Sequence, residues 1–452
     1  MSDTIRITPK KAETLYEALS VFQLCALETA DDFDQFYVEA AEARNADEYD
    51  RTKKTMVAIK ASKSPCHILF SGHKGCGKST ELYRLYNMFK NDGYLVAIGR
   101  CDSNLNMNTM EYTDLILFIL ETLFKCAQEN DLAIDESILK SIESYWNKIH
   151  EIVKEKTGET KVEGSISANV KSPSLLARVL SLTASFRSDL SLSSKNSDVI
   201  RETIKPRLDL FYSIANDFIN NIQISGVQRG FKDTFPIVLI DQLEKANIEV
   251  LINLFENHSQ DLTKLQSHLV FPFPIEMCYK PSYHYIKNYF TEEWVLPMIK
   301  LRTWDEQTHS YVEFNTGKTV LRSIVEKRMN INKISDGILD DIINKTGGYL
   351  RNLFEAIYDA ILNSIARGSD IVETQDMTVA LNSLQSSITR RLDEKNRFRL
   401  EMIINGDKKY GADDVMMDFL SSGIVFEYNG DRWVDLHPLV EDWIIKTRAF
   451  KT

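Results

Sequence analysis

Residues 66–79, Cys66-His67-Ile68-Leu69-Phe70-Ser71-Gly72-His73-Lys74-Gly75-Cys76-Gly77-Lys78-Ser79, decide how this chain folds. The first six form a short apolar run after Pro65, the pattern of a strand buried on both faces. The last eight match G-x-x-x-x-G-K-[ST]. From average residue usage, such a match is expected by chance on the order of 0.02 times in a chain of this length. Downstream, Leu82, Leu85, Tyr86 and Phe89 recur at i, i+3, i+4 and i+7, a helix closed by Asn91-Asp92-Gly93. Strand, glycine turn and helix are the setting in which the motif has a mechanical meaning. Glycine lets backbone N–H groups turn inward and cradle an anion. Gly72, Lys74, Gly75, Cys76, Gly77, Lys78, Ser79 and Thr80 are the residues this places around it. Lys78 is expected to face β- and γ-phosphate oxygens, in binding and in catalysis, and the Ser79 hydroxyl to ligate Mg²⁺. The helix that follows adds the positive end of its dipole.

Outward from this loop the pattern continues. Tyr94–Ile98 reads as a second strand and Thr113–Ala127 as a strongly apolar helix, and strand-helix-strand-helix calls for a parallel sheet. Phe235–Ile240 is a third strand, His268–Met277 a fourth despite two prolines, and Val295–Leu301 a fifth. The third ends in Asp241, at the carboxyl end of the sheet where ligands collect, so Asp241 is expected to share the metal with Ser79. An Asp-Glu pair would put a catalytic base at 242, where Gln242 stands instead. Glu244 is then the candidate base, or simply the cap of the following helix; a missing base would imply weak or partner-dependent hydrolysis.

The chain has 452 residues with 54 Lys+Arg against 65 Asp+Glu, a net charge of −11. At ~150 residues per domain this suggests about three domains. With 43% hydrophobic and 26% charged residues, wholesale disorder is excluded. Gly 18 and Pro 10 are few for this length, which favours helix. The acidic balance argues against a protein that coats nucleic acid. No run of about 18 apolar residues and no apolar N-terminal h-region is present, so neither a membrane span nor a secretory signal is expected. Six cysteines without C-x-x-C spacing read as reduced thiols in a cytoplasmic protein, and eight histidines without H-E-x-x-H give no zinc site.

Residues 1–60 read as a helical, charged segment, with Leu15, Leu19, Phe22 and Ala26 on one face. Residues 61–305 form the core. It carries an insertion at about 130–205 that reads as partly helical and partly mobile, with a weak hairpin at Lys161–Val170 and a Ser-rich stretch at Ser185–Ser197. A helical lid spans 306–388, with helices at Leu321–Met329, Ile338–Asn344, Tyr349–Ile365 and Thr374–Leu384. In 389–452, a basic connector (Arg390, Arg391, Lys395, Arg397, Arg399) leads to a helix (Ala412–Leu420). A hairpin follows, Ile424–Tyr428 and Arg432–Leu436, turned by Asn429-Gly430.

The stretches GHKGCGKSTELYRL (72–85), IVLIDQLEK (237–245) and Thr346-Gly347-Gly348-Tyr349-Leu350-Arg351 together resemble an AAA+ ATPase, similar to the origin-recognition-like and STAND branches. The resemblance implies an α/β, helix-rich fold: a parallel-sheet P-loop core, a helical lid and a C-terminal winged helix. It implies ATP and Mg²⁺ as cofactors. By match to the family's G-x-x-R, Arg351 would contact the γ-phosphate. His437, before Pro438, resembles the His through which some relatives touch the nucleotide's phosphate; a structural His fits equally. The family's polar residue at the end of the fourth strand has no counterpart in Phe271–Pro274, and only Arg322 and Arg328 offer an arginine for a neighbouring subunit. The implied role is an ATP-driven regulatory switch acting on a protein effector or in a homo-oligomer, as in relatives that serve in phage defence. Two other readings stay open: a DNA-acting ATPase, binding through 390–399 or the winged helix, and a nucleotide-bound scaffold with little turnover. The wing, Glu427–Trp433, has two acids against one arginine, a poor surface for phosphate.

Overall fold

The computed structural model describes residues 10–23, 25–44, 50–157, 174–192, 195–408, 413–428 and 433–449. Its centre is one sheet built from β1 (His67–Gly72), β2 (Val96–Arg100), β3 (Ile237–Asp241), β4 (His268–Pro274) and β5 (Glu292–Val295). The strand order is β2-β3-β4-β1-β5 and every pair is parallel. Parallel sheets are covered on both faces, and β1, β3 and β4 are buried at every position. The prolines of β4 are tolerated for a specific reason. Pairing with β3 stops at Val270, so Pro272 and Pro274 lie where only β1 still pairs. The fifth strand lies earlier than the sequence suggests, and the chain after it forms an unforeseen hairpin, β6 (Arg302–Asp305) with β7 (Ser310–Glu313).

The helix Tyr112–Glu129 buries fifteen of its eighteen residues, so no face of it can meet solvent. The sheet takes one side. The other is roofed by the helices Glu136–Thr157, Leu175–Ser191 and Leu208–Gln228. Trp146 and Phe186 stack there at 4.7 Å, with Phe211 5.7 Å from Trp146. The described part of the insertion, expected to be partly helical and partly mobile, is helical: these helices complete the core, and Phe186 and Leu190 of the Ser-rich stretch are fully buried. The hairpin expected at 161–170 lies outside the described residues. Phe186→Ala should lower stability by about 3–5 kcal/mol in denaturant unfolding. A solvated excursion would lose almost nothing.

The N-terminal helices Leu15–Val21, Ala30–Phe36 and Ala41–Arg44 share one apolar core with the lid helices Asn315–Glu326, Ile338–Thr346, Leu350–Ala366 and Thr374–Thr389. The C-terminal unit runs helix Glu394–Ile404, helix Asp414–Ser422, β8 (Val425–Tyr428), β9 (Trp433–Leu436) and helix Pro438–Ala449. β8 and β9 pair antiparallel, Tyr428 opposite Trp433. The Asn429-Gly430 turn is outside the described residues. The basic connector is helical from Glu394, and Arg391, Arg397 and Arg399 are paired with Asp418, Glu401 and Asp413. No described helix is long and apolar enough to cross a membrane.

Candidate functional site

Gly75 has φ 83° and Gly77 has φ 108°, backbone conformations that L side chains rarely adopt. Space forbids a side chain as well: a Cβ on Gly75 would stand 2.7 Å from Arg351 Nε. The loop therefore turns tightly enough to bring Lys78 back beneath it. Lys78 Nζ donates to the carbonyls of Gly72 and His73, both at 2.9 Å, and lies 3.3 Å from Glu244 Oε1. Burial works against the Lys78 charge, but Glu244 foremost, with Cys76 and Glu276 adding to it, outweighs burial and the ammonium is held above its ordinary value.

Two places away in the sheet, β3 delivers Asp241. Ser79 Oγ donates to Asp241 Oδ1 at 2.7 Å. Gln242, in a left-handed conformation at φ 66°, donates its amide to Ser79 Oγ at 2.8 Å and to Asp241 Oδ2 at 3.3 Å. Burial lifts the Asp241 carboxyl to about 6; the Ser79 hydrogen bond opposes this and the Glu244 charge adds to it. A half-buried hydroxyl and a buried carboxylate short of positive charge form a donor set that fits Mg²⁺. A protonated acid cannot ligate the ion. Mg²⁺-dependent nucleotide affinity should thus fall about tenfold per pH unit below pH 6 and level off above it. Titration of a fluorescent nucleotide across that range, with Asp241→Asn as the control that removes the step, checks this.

Glu244 does not cap the next helix. Asn247 does, accepting from Glu249 N. Glu244 is buried, and while Oε1 faces Lys78, Oε2 has no hydrogen-bond partner among the described residues. Because β4 lies between β1 and β3, the turn after it opens beside the same loop. Glu276, buried there, stands 3.9 Å from Lys74 Nζ. Burial pushes its carboxyl up, with Lys74 and Lys78 opposing. Sequence reasoning looked for a polar residue within β4 and missed this one, although Glu276 is the first polar residue after Pro274.

A cavity of about 380 Å³ opens beside these groups. Gly75, Lys78, Ser79, Gln242, Glu244 and Arg351 line it, together with the apolar Leu27, Val38, Ile324 and Phe354 and with Arg328. The N-terminal contribution was not foreseen: Leu27 N donates to Thr80 Oγ1 at 3.3 Å, and Arg44 Nη2 donates to Cys76 O at 2.8 Å. Arg351 lies against Gly75 and makes no ion pair among the described residues. Tyr349 OH donates to Lys74 O at 2.6 Å and sets the lid on the loop.

The structure does not bring His437 to the cavity. Its Nδ1 accepts from Leu439 N and its Nε2 meets Asn352 Oδ1 at 3.1 Å, so both ring nitrogens are spent within the protein; burial pulls its pKa down to about 3. Of the two arginines considered for a neighbouring subunit, Arg322 is held at the surface by Asp340, and Arg328 is buried in this chain's own cavity wall. A histidine that the sequence did not single out has an unexpected place. His73, inside the phosphate loop, accepts at Nε2 from Glu427 N of β8 at 2.8 Å and donates from Nδ1 to Leu420 O at 3.2 Å. Burial lowers its pKa to about 3, which keeps the ring neutral and this tautomer fixed.

No protein-family model and no curated protein matches the chain. Among solved structures it is similar to the Walker-type ATPase PABY2304 of Pyrococcus abyssi, with TM-score 0.43 and 10% identity over 94% of this chain and 99% of that one. It is also similar to the Aeropyrum pernix ORC2 protein in ADPNP–ADP complexes (TM-score 0.37, 13% identity, 95% and 98% covered). A third is the Thermotoga maritima RuvB Holliday junction branch migration motor (TM-score 0.36, 11% identity, 95% and 98%). At this distance none of them assigns a role to this chain.

Proposed function

We propose that the cavity binds ATP with Mg²⁺ and hydrolyses it slowly, and that the state of the bound nucleotide sets how the C-terminal unit docks, so that the chain works as a switch on a protein effector. The observation that carries the nucleotide reading is convergence. Lys78 and Ser79 from the loop, Glu244 after β3 and Arg351 from the lid are far apart in sequence and border the same cavity, and Asp241 at the end of β3 joins them through its hydrogen bond with Ser79. Lys78 takes the charge of the terminal phosphates. Ser79 and Asp241 hold the metal, which neutralises phosphate charge when bound. Glu244 gives up Lys78 to the incoming phosphate, and its Oε2 is then the group to accept a proton from an attacking water. Gln242 has no proton-accepting role; its amide steadies the two metal ligands.

The switch reading is supported by the fastening of the phosphate loop to β8. Besides His73, Tyr279 OH donates to Glu427 Oε2 at 2.6 Å and Tyr428 OH donates to Gly347 O at 2.9 Å, so loop, lid and sheet all meet the same strand. A ligand shifts such an equilibrium only by its differential affinity for the two states, and a guanidinium contact to the γ-phosphate is present with ATP and lost with ADP. Hydrogen exchange of residues 413–428 should therefore differ between the ATP and ADP forms. Arg351→Ala should erase that difference while leaving ADP affinity within about threefold. Identical wild-type profiles with both nucleotides would sink the switch and favour a scaffold. The resemblance to defence-associated ATPases names one setting for such a switch. A DNA-acting role has less behind it, since Arg391, Arg397 and Arg399 already face acids.

A further inference from the structure

Arg328 is 7% exposed and lines the cavity. Its Nη1 donates to Ile324 O at 2.9 Å and to Phe36 O at 3.3 Å. The guanidinium lies 4.8 Å from the Phe354 ring and 5.3 Å from that of Phe36. Among the described residues no carboxylate pairs with it, and its Nε and Nη2 have no acceptor. Burying a cation without a counter-charge or a full set of acceptors is costly. Burial brings its pKa down to about 10, so it remains charged at neutral pH. A staple between two helices would need only the Nη1 contacts; the remaining donors are left over on a wall that faces the cavity.

The lid fixes which part of the cavity this is. Arg351 touches Gly75 of the phosphate loop. Phe354 is one helical turn further along the same helix, about 4.5 Å away from the phosphates' end. Around it stand Leu27, Val38 and Ile324, the apolar surroundings a flat ring requires. We infer that Arg328 reads the base of the bound nucleotide, its Nε and Nη2 donating to the ring-nitrogen acceptors of a purine lodged against Phe354. The inference rests on the nucleotide reading above.

The test compares three probes on the full chain: ATP, 2′,3′-dideoxy-ATP, which lacks the sugar hydroxyls, and inorganic tripolyphosphate, which lacks sugar and base. Arg328→Met should weaken ATP and dideoxy-ATP alike by about 10- to 100-fold and leave tripolyphosphate unchanged. Arg328→Lys keeps a cation for the Phe36 and Ile324 carbonyls but not the fork, and should lose ATP affinity several-fold with the melting temperature preserved; it decides the matter if the Met variant does not fold. Equal losses for ATP and tripolyphosphate overturn the inference, because Arg328 would then act on the loop. A loss on ATP that dideoxy-ATP escapes overturns it in favour of the sugar. Wild-type ATP affinity in Arg328→Lys overturns it too. Lys78→Ala should lose all three probes, and a wild-type chain that binds none of them refutes the nucleotide reading and this inference together.

Discussion

Lys78→Ala should remove measurable nucleotide binding. The ammonium is held at 2.9 Å by two loop carbonyls and at 3.3 Å by Glu244, so it is positioned before any ligand arrives. Truncating one partner of a buried, hydrogen-bonded charge pair costs about 2–5 kcal/mol, a loss of more than about thirtyfold in affinity. The variant has a second defect that must be separated from the first. It strands the Glu244 carboxylate in the interior, which lowers stability for reasons unrelated to phosphate. Lys78→Ala with Glu244→Gln removes both charges. The double variant should recover the melting temperature and still bind no ATP. ATP·Mg²⁺ affinity at the wild-type level in either variant would end the phosphate-site assignment.

Glu244→Gln alone should hold ATP without turning it over. Proton transfer by a positioned base contributes about 10²–10⁴-fold, and turnover should fall by that factor. Affinity should rise, because a carboxylate that competes with phosphate for Lys78 has become neutral. The readout is the ratio of ATP to ADP recovered from protein after gel filtration, beside a steady-state phosphate assay. Normal turnover would move the base elsewhere, with Glu276 next in line, since it is buried beside Lys74 on the neighbouring strand end.

What could be read from the sequence was what depends on local spacing. The phosphate loop is eight consecutive residues, and Asp241 closes a run of four apolar ones, so both declared themselves, as did the parallel sheet. Gln242 was visible as a departure, but its bridging of Ser79 and Asp241 was not. The features that escaped are those that distant chain delivers. Leu27, Arg44 and Arg328 reach the cavity from segments that read as ordinary charged helices. Glu276 escaped because β4 sits between β1 and β3, an order no local signal encodes. The Ser-rich stretch misled for a different reason. Ser191 Oγ is satisfied by Arg187 O of its own helix at 3.0 Å and by Asn104 O at 3.2 Å, so a composition that suggests a loop is compatible with a buried helix.

The contact between His73 and the Glu427 amide joins residues 354 positions apart. A ribosome adding about 5–20 residues per second needs about 20–70 s to travel that distance. For much of that interval the phosphate loop waits, first for β4 and β5 to pair with β1 and then for the strand that will clasp it. A nucleotide captured by the nascent chain would meet a half-built site, without lid or clasp, and would leave it easily. The site is therefore complete only once residues 425–427 have been made, and a chain cut before Val425 leaves His73 without the strand that clasps it.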